Sequence, residues 1–295
     1  MKKSTISLIV ILLLLAVVTY FVMQRPGERS SSGEPGQMLV HFDSSAIDRI
    51  ELRSPTGNIV IEKAAGPWRL TAPLRYAADS GLVVNLLNQA NRIEVKNLVS
   101  SNPEKQSVFQ VDSTGVLVRL SAQGTDKAAF IVGKPSSTFS ETFVRKDGSP
   151  DVYLADGYLQ GTFKRGANDL RDKTIFKTDA ASIRSVTYHY GDTTFTLALN
   201  DTVWQIGKEN ANTAGVRTLL QALSNIQADD FIDSTLAPGK AAAVIDFPGT
   251  QVHLYRDATK GKYLVQTSAS PQWFSSSDWR MQPLLKRKKD LLAAG

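Results

Sequence analysis

Histidine, serine and the carboxylates are the residue types that carry most protein chemistry, and this chain spaces them poorly for it. His41, His189 and His253 never approach the HxxxH or HExxH spacing through which one helix face presents a metal. With no cysteine there is no thiolate ligand, no disulfide and no cysteine nucleophile. No G-x-S-x-G elbow occurs, and the serine-rich segments Ser30–Ser32, Ser136–Ser140 and Ser275–Ser277 read as loops. Gly133-Lys134 lacks the upstream glycine of a phosphate-cradling loop. Asp147, Asp151 and Asp156 flank turns, where aspartate bonds its own backbone, and Asp229-Asp230 is expected to end a helix. Paired-carboxylate catalysis needs two such groups converging in a cleft, and nothing in the spacing demands it. No catalytic, metal or cofactor site is expected, and the chain reads as a non-enzyme.

One charged run could bind something. Lys286-Arg287-Lys288-Lys289 follows Trp279, Met281, Leu284 and Leu285, a mixture suited to an anionic membrane face or to a protein partner. The competing reading is the solvated end of a helix, since Lys164-Arg165 occupies the equivalent place earlier in the chain. The net charge of +6 is spread along 295 residues, with no basic face or module for nucleic acid. At 42% hydrophobic and 21% charged residues, a chain of this length supports two ordinary folded domains.

The elements that would position these residues are written twice. Trp68, Asp79, Leu86-Leu87 and Leu98 are echoed by Trp204, Thr213, Leu219-Leu220 and Ile232. Each copy predicts a short strand carrying a tryptophan, a loop, then an amphipathic helix. Leu82, Val83, Leu86, Leu87 and Ala90 make one apolar stripe; Val216, Leu219, Leu220, Leu223 and Ile226 make the other. Asp79 and Thr213 stand where a side-chain oxygen would cap the first turn. Trp68 and Trp204 read as core anchors. Ile47–Leu52 aligns with Ile183–Tyr188, and Gly115–Leu120 with Gly249–Leu254, which sets His189 opposite Arg53 and His253 opposite Arg119. Beyond Phe139 a hairpin, Thr142–Leu154, is expected in the first copy only. Both copies close on a helix, Gly157–Asp172 and Ser277–Leu292. The expected fold is therefore α+β, two tandem modules at 39–177 and 178–295, each a mostly antiparallel sheet with one central and one closing helix.

Ahead of them, residues 6–23 run without a charge and would span about 27 Å as a helix, close to the roughly 30 Å hydrocarbon layer. Bulky Tyr20-Phe21-Val22-Met23 stands where a signal-peptidase site needs small residues, so the segment predicts an uncleaved anchor. Residues 1–5 would form a cytoplasmic tail and residues 24–38 a Pro/Gly/Ser linker. The expected address is the bacterial inner membrane, single-pass, with both modules in the periplasm.

Several short motifs in fixed order carry a resemblance. Trp68-Arg-Leu with Pro73, Ala78-Asp79 before the helix, Val132-Gly133-Lys134, Phe143-Val-Arg145, Val152-Tyr-Leu154 and Asp169–Lys173 together resemble the bacterial family known as domain of unknown function 4340. That likeness implies a membrane-anchored protein associated with ABC transporters of the gliding-motility type, with an ABC permease and ATPase as partners. It supplies no catalytic residues. The resulting expectation is a non-catalytic accessory or scaffold protein of an ABC-type system. Alternatives are a binding module for an envelope glycan or lipid at the junction of the modules, or an envelope hydrolase.

Overall fold

The computed structural model describes residues 36–63, 66–234, 236, 239–257 and 261–292. The tail, the anchor at 6–23 and most of the linker lie outside the described residues. Among the described residues no helix is long and apolar enough to cross a membrane. The single-pass inner-membrane and periplasmic placement is corrected accordingly.

The chain divides into two compact units, one ending at Arg171 and the other starting at Asp172. The first contains strands β1 (Gln37–Met38), β2 (Arg49–Ser54), β3 (Gly57–Glu62), β4 (Arg69–Ala72), β5 (Tyr76–Ala77), β6 (Glu94–Ser100), β7 (Val116–Ala122), β8 (Thr125–Pro135), β9 (Glu141–Lys146) and β10 (Val152–Asp156). They form one sheet in the order β1-β6-β10-β9-β8-β7-β2-β3-β4-β5. The helix Ser80–Ala90 buries Val83, Leu86, Leu87 and Ala90 in the core made by Ile50, Val118, Leu120, Phe130, Val132 and Val144. Strand residues of the other parity point away from it. Ile131 and Val152, with Leu117 and Phe143, build a smaller cluster under Phe109 and Val111 of the 102–115 loop.

The second unit contains β11 (Thr174–Lys177), β12 (Ser185–Tyr190), β13 (Thr193–Asn200), β14 (Val203–Ile206), β15 (Glu209–Asn210), β16 (Asn225–Gln227), β17 (Asp230–Ile232), β18 (Ala243–Phe247), β19 (Thr250–Asp257), β20 (Lys262–Thr267) and β21 (Ser270–Ser277). Nine of them run β17-β21-β20-β19-β18-β12-β13-β14-β15. That is the first unit's order, β6-β10-β9-β8-β7-β2-β3-β4-β5, strand for strand. Even the opening strands match: β1 pairs with the start of β6, and β11 pairs with β16, which precedes β17. The second unit therefore begins at β11, before residue 178.

Four sequence expectations are corrected. The α+β class gives way to mostly antiparallel sheet, because among the described residues only Ser80–Ala90 and Thr213–Ser224 are α-helices longer than one turn. Both closing helices break into single turns: Gln160–Phe163 and Ala167–Leu170, then Asp278–Met281 and Lys288–Leu291. Gly166 and Arg287 are extended, and their N–H groups donate to Asp169 and Asp290, each at 2.8 Å. Each aspartate thus starts a new turn where a continuous helix was expected. The hairpin is not confined to the first unit, since β20 and β21 pair as β9 and β10 do. Ser275–Ser277 is strand, not loop, with Ser276 fully buried.

The alignment after the central helix also slips by one strand. β7 pairs with β2, and its structural counterpart beside β12 is β18, whereas the sequence alignment of Gly115–Leu120 with Gly249–Leu254 matches β7 to β19. The 100–116 connection is longer than 232–243, and a constant offset absorbed the difference into the wrong strand.

The helix caps match through their surroundings. Ala78 and Ala211 donate to the carbonyls of Trp68 and Trp204, at 2.9 and 2.8 Å; Asp79 and Asn212 donate to those of Leu170 and Leu291, at 2.9 and 2.7 Å. Asn212, not Thr213, is therefore the partner of Asp79, and its side chain accepts from Gly215. Asp79→Ala and Asn212→Ala should each cost about 1 kcal/mol in urea denaturation. Thr213→Ala should stay within about 0.5 kcal/mol.

Candidate functional site

The cation run is fastened to the second unit through two tyrosines of β12. Tyr188 and Tyr190 stack in parallel with centroids 5.8 Å apart. Their hydroxyls donate to the carbonyls of Leu284 and Lys286, both at 2.9 Å. Burial is the main cause that raises both phenols, Tyr190 to about 12. Both therefore stay protonated and able to donate at neutral pH.

Held by its neighbours, Arg287 lies with its guanidinium carbon 3.7 Å from the Tyr190 ring centroid. Face-on stacking of a guanidinium leaves its edge N–H groups available. Opposite, Arg256 donates to the Tyr263 hydroxyl at 2.9 Å and to Asp278 at 2.8 Å. The bond to Tyr263 is the first cause of its raised pKa, followed by the charges of Tyr263 and Asp278. These side chains, with Lys286, line a cleft of about 580 Å³. It offers several donors and two tyrosine rings; no nucleophile in it is hydrogen-bonded to a base.

The four cations of the run are placed differently. Lys286 and Arg287 line the cleft, Lys288 pairs with Glu209 of β15 at 2.5 Å, and Lys289 is exposed. Sequence reading missed Tyr190, Tyr263, Arg256 and Asp278. One signal was available: Tyr190 falls two residues past Tyr188, where the first copy has Ser54.

The other chemistry-bearing residues are dispersed. His189 and His253 are cross-strand partners of the same residue, Val244. The sheet thus brings together two histidines that the sequence separates. His189 is bonded to Thr194, and His41 is exposed. Among the described residues no three His, Asp or Glu side chains gather in a way that could hold a metal. Asp147 and Asp156 make ion pairs with Arg119 and Lys96.

Asp229 lies beyond the helix, which ends at Ser224. It accepts from Ser277 N–H at 2.6 Å and from Arg280 at 2.7 Å. Burial raises its pKa, but the bonds from Ser277 and Arg280 outweigh burial and hold the carboxyl below the usual range. As pH falls, the unfolded chain takes up this proton first, near its ordinary pKa of about 3.9. The stability supplied by Asp229 is present above that pH and lost as pH falls through the lower native value. Urea midpoints should drop on acidification below about pH 4, and Asp229→Asn should remove part of that slope.

The motifs behind the family resemblance prove to be fasteners. Arg145 donates from Nε to the Val111 carbonyl at 2.8 Å and from Nη1 to Ser149 at 2.9 Å. It clamps the 102–115 loop against the sheet. Val152 and Ile131 sit under the same loop. Asp169 caps its turn, Leu170 receives the N–H of the helix cap, and Arg171 lies 4.4 Å over Tyr76.

Fold and site together define a class: an antiparallel-sheet protein of two like-ordered units, with a polar, cation-lined cleft in the second. Residues 68–243 match the family described as Domain of unknown function (DUF4340), and the chain belongs to it. No curated protein and no solved structure matches the chain.

Proposed function

We propose that this protein is a non-catalytic accessory protein that holds partners within an ABC-type transport assembly, and that its second unit is a copy of its first. One observation supports the non-catalytic reading above the rest. The polar residues of the family motifs, Arg145, Asp169 and Arg171 among them, are occupied in closing the fold around the central helix and the 102–115 loop. Side chains committed to holding backbone carbonyls and caps are poorly placed to turn over a substrate. The transport context comes from the resemblance alone. Tagged full-length protein, purified from its own cells and analysed by quantitative mass spectrometry, should bring down an ABC permease and ATPase in comparable molar amounts. Recovery of the protein alone would contradict the proposal.

A further inference from the structure

We infer that the cleft of the second unit docks an acidic segment of a partner protein, gripped by Lys286 and by Arg287, which lies over Tyr190; this rests on the accessory role proposed above. The charges in and around the cleft are unevenly committed. Arg256 is tied to Tyr263 and Asp278, and Lys288 to Glu209. Asp290 also lines the cleft, but it takes the Arg287 backbone N–H; the Arg287 guanidinium has the Tyr190 ring beneath it and, like the Lys286 ammonium, makes no carboxylate ion pair among the described residues. Two cations thus face the cleft with donors to spare.

The first unit shows that closing the fold does not require this arrangement. Its Asp169 caps Gly166 as Asp290 caps Arg287, and its Leu170 carbonyl receives the helix cap as that of Leu291 does. Yet Gly166 stands in place of Arg287, and Ser54 in place of Tyr190. The same latch is made without a guanidinium stacked on a ring. The stack is thus an addition that closure of the first unit does without.

Its extent argues for an elongated ligand. A volume of about 580 Å³ suits a small molecule, but positive charge continues past the cleft to exposed Lys289. Trp279 is 68% exposed beside Asp278 of the cleft wall, with Arg280 4.6 Å over its ring. Tryptophan and arginine are among the residue types that dominate protein–protein binding energy. Several carboxylates on an extended peptide would cover this surface; a single small anion would reach only the cleft.

The test uses the full chain and fluorescein-labelled hexaglutamate, followed by fluorescence polarisation, with hexalysine as control. Hexaglutamate should bind saturably and more weakly as salt rises; hexalysine should not bind. Arg287→Gln combined with Lys286→Gln should weaken binding about tenfold or more, as expected for lost charge-assisted bonds. Lys164→Gln with Arg165→Gln in the first unit should leave it unchanged. Circular dichroism and the urea midpoint would show whether the double variant folds. If it does not, Lys286→Gln alone should still weaken binding about threefold. Absence of saturable binding, or equal binding by folded variants, would overturn the inference. So would complete displacement by low-millimolar inorganic phosphate, which marks a small-anion site. Binding to phosphatidylglycerol vesicles without binding to hexaglutamate would mark a lipid surface and overturn it too. Failure here with permease and ATPase still co-purifying removes the cleft assignment and leaves the accessory role standing.

Discussion

Gly133→Ala is expected to destabilise the first unit by about 1–3 kcal/mol or more, the range for forcing a methyl group into filled space. A Cβ at Gly133 would stand 2.3 Å from the Phe109 carbonyl oxygen, 2.7 Å from Val111 Cγ1 and 3.1 Å from the Phe143 carbonyl oxygen. Two of these three neighbours are backbone and cannot swing aside as a long side chain would. The 102–115 loop crosses the sheet at this point, and Arg145 pins the loop through the Val111 carbonyl. Lifting the loop would also uncover Ile131 and Val152. Urea denaturation should show the loss, and Gly124→Ala serves as a comparison: that glycine has open space around it but a left-handed φ of +75°. Its cost should be that of backbone strain alone, about 1 kcal/mol.

Trp68→Ala should cost about 3–5 kcal/mol, and Trp204→Ala clearly less. The two residues hold the same place in their units, each accepting through its carbonyl from the alanine before the helix cap. Their side chains differ in environment. Trp68 is 6% exposed and part of the main core, whereas Trp204 is only half-buried. Equal losses in urea denaturation would show that the two environments are energetically alike, against this description.

The tryptophans show what the sequence could and could not disclose. Their spacing from the following helix revealed the repeat, because strand, cap and helix stripe recur together and loop length varies little between them. Burial was not legible, because it depends on which strand edge each ring meets. The helix stripes were read well: Val83, Leu86, Leu87 and Ala90 are buried, as are Val216, Leu219 and Leu223. Ile226 belongs instead to β16. The closing helices were misread because Lys, Arg, Asp and Leu favour helix locally, while Asp169 and Asp290 satisfy an extended residue's N–H and restart the turn. Strand matching failed after the central helix, where two connections of unequal length defeat a constant offset. The cleft was half legible. A run of cations stands out in any sequence, but Arg256, Tyr190 and Tyr263 reach it from three strands, and that convergence exists only once the sheet is formed.

Both units close by the same latch, an aspartate-capped turn whose leucine carbonyl takes the N–H of the helix cap. Residue-resolved hydrogen exchange on the full chain tests this at the amides of Asp79 and Asn212. Both should be protected in the unaltered protein; Asp169→Ala should speed exchange at Asp79, and Asp290→Ala should speed it at Asn212. Exchange at either amide as fast as in a free loop, or protection at Asn212 untouched by Asp290→Ala, would contradict the shared latch.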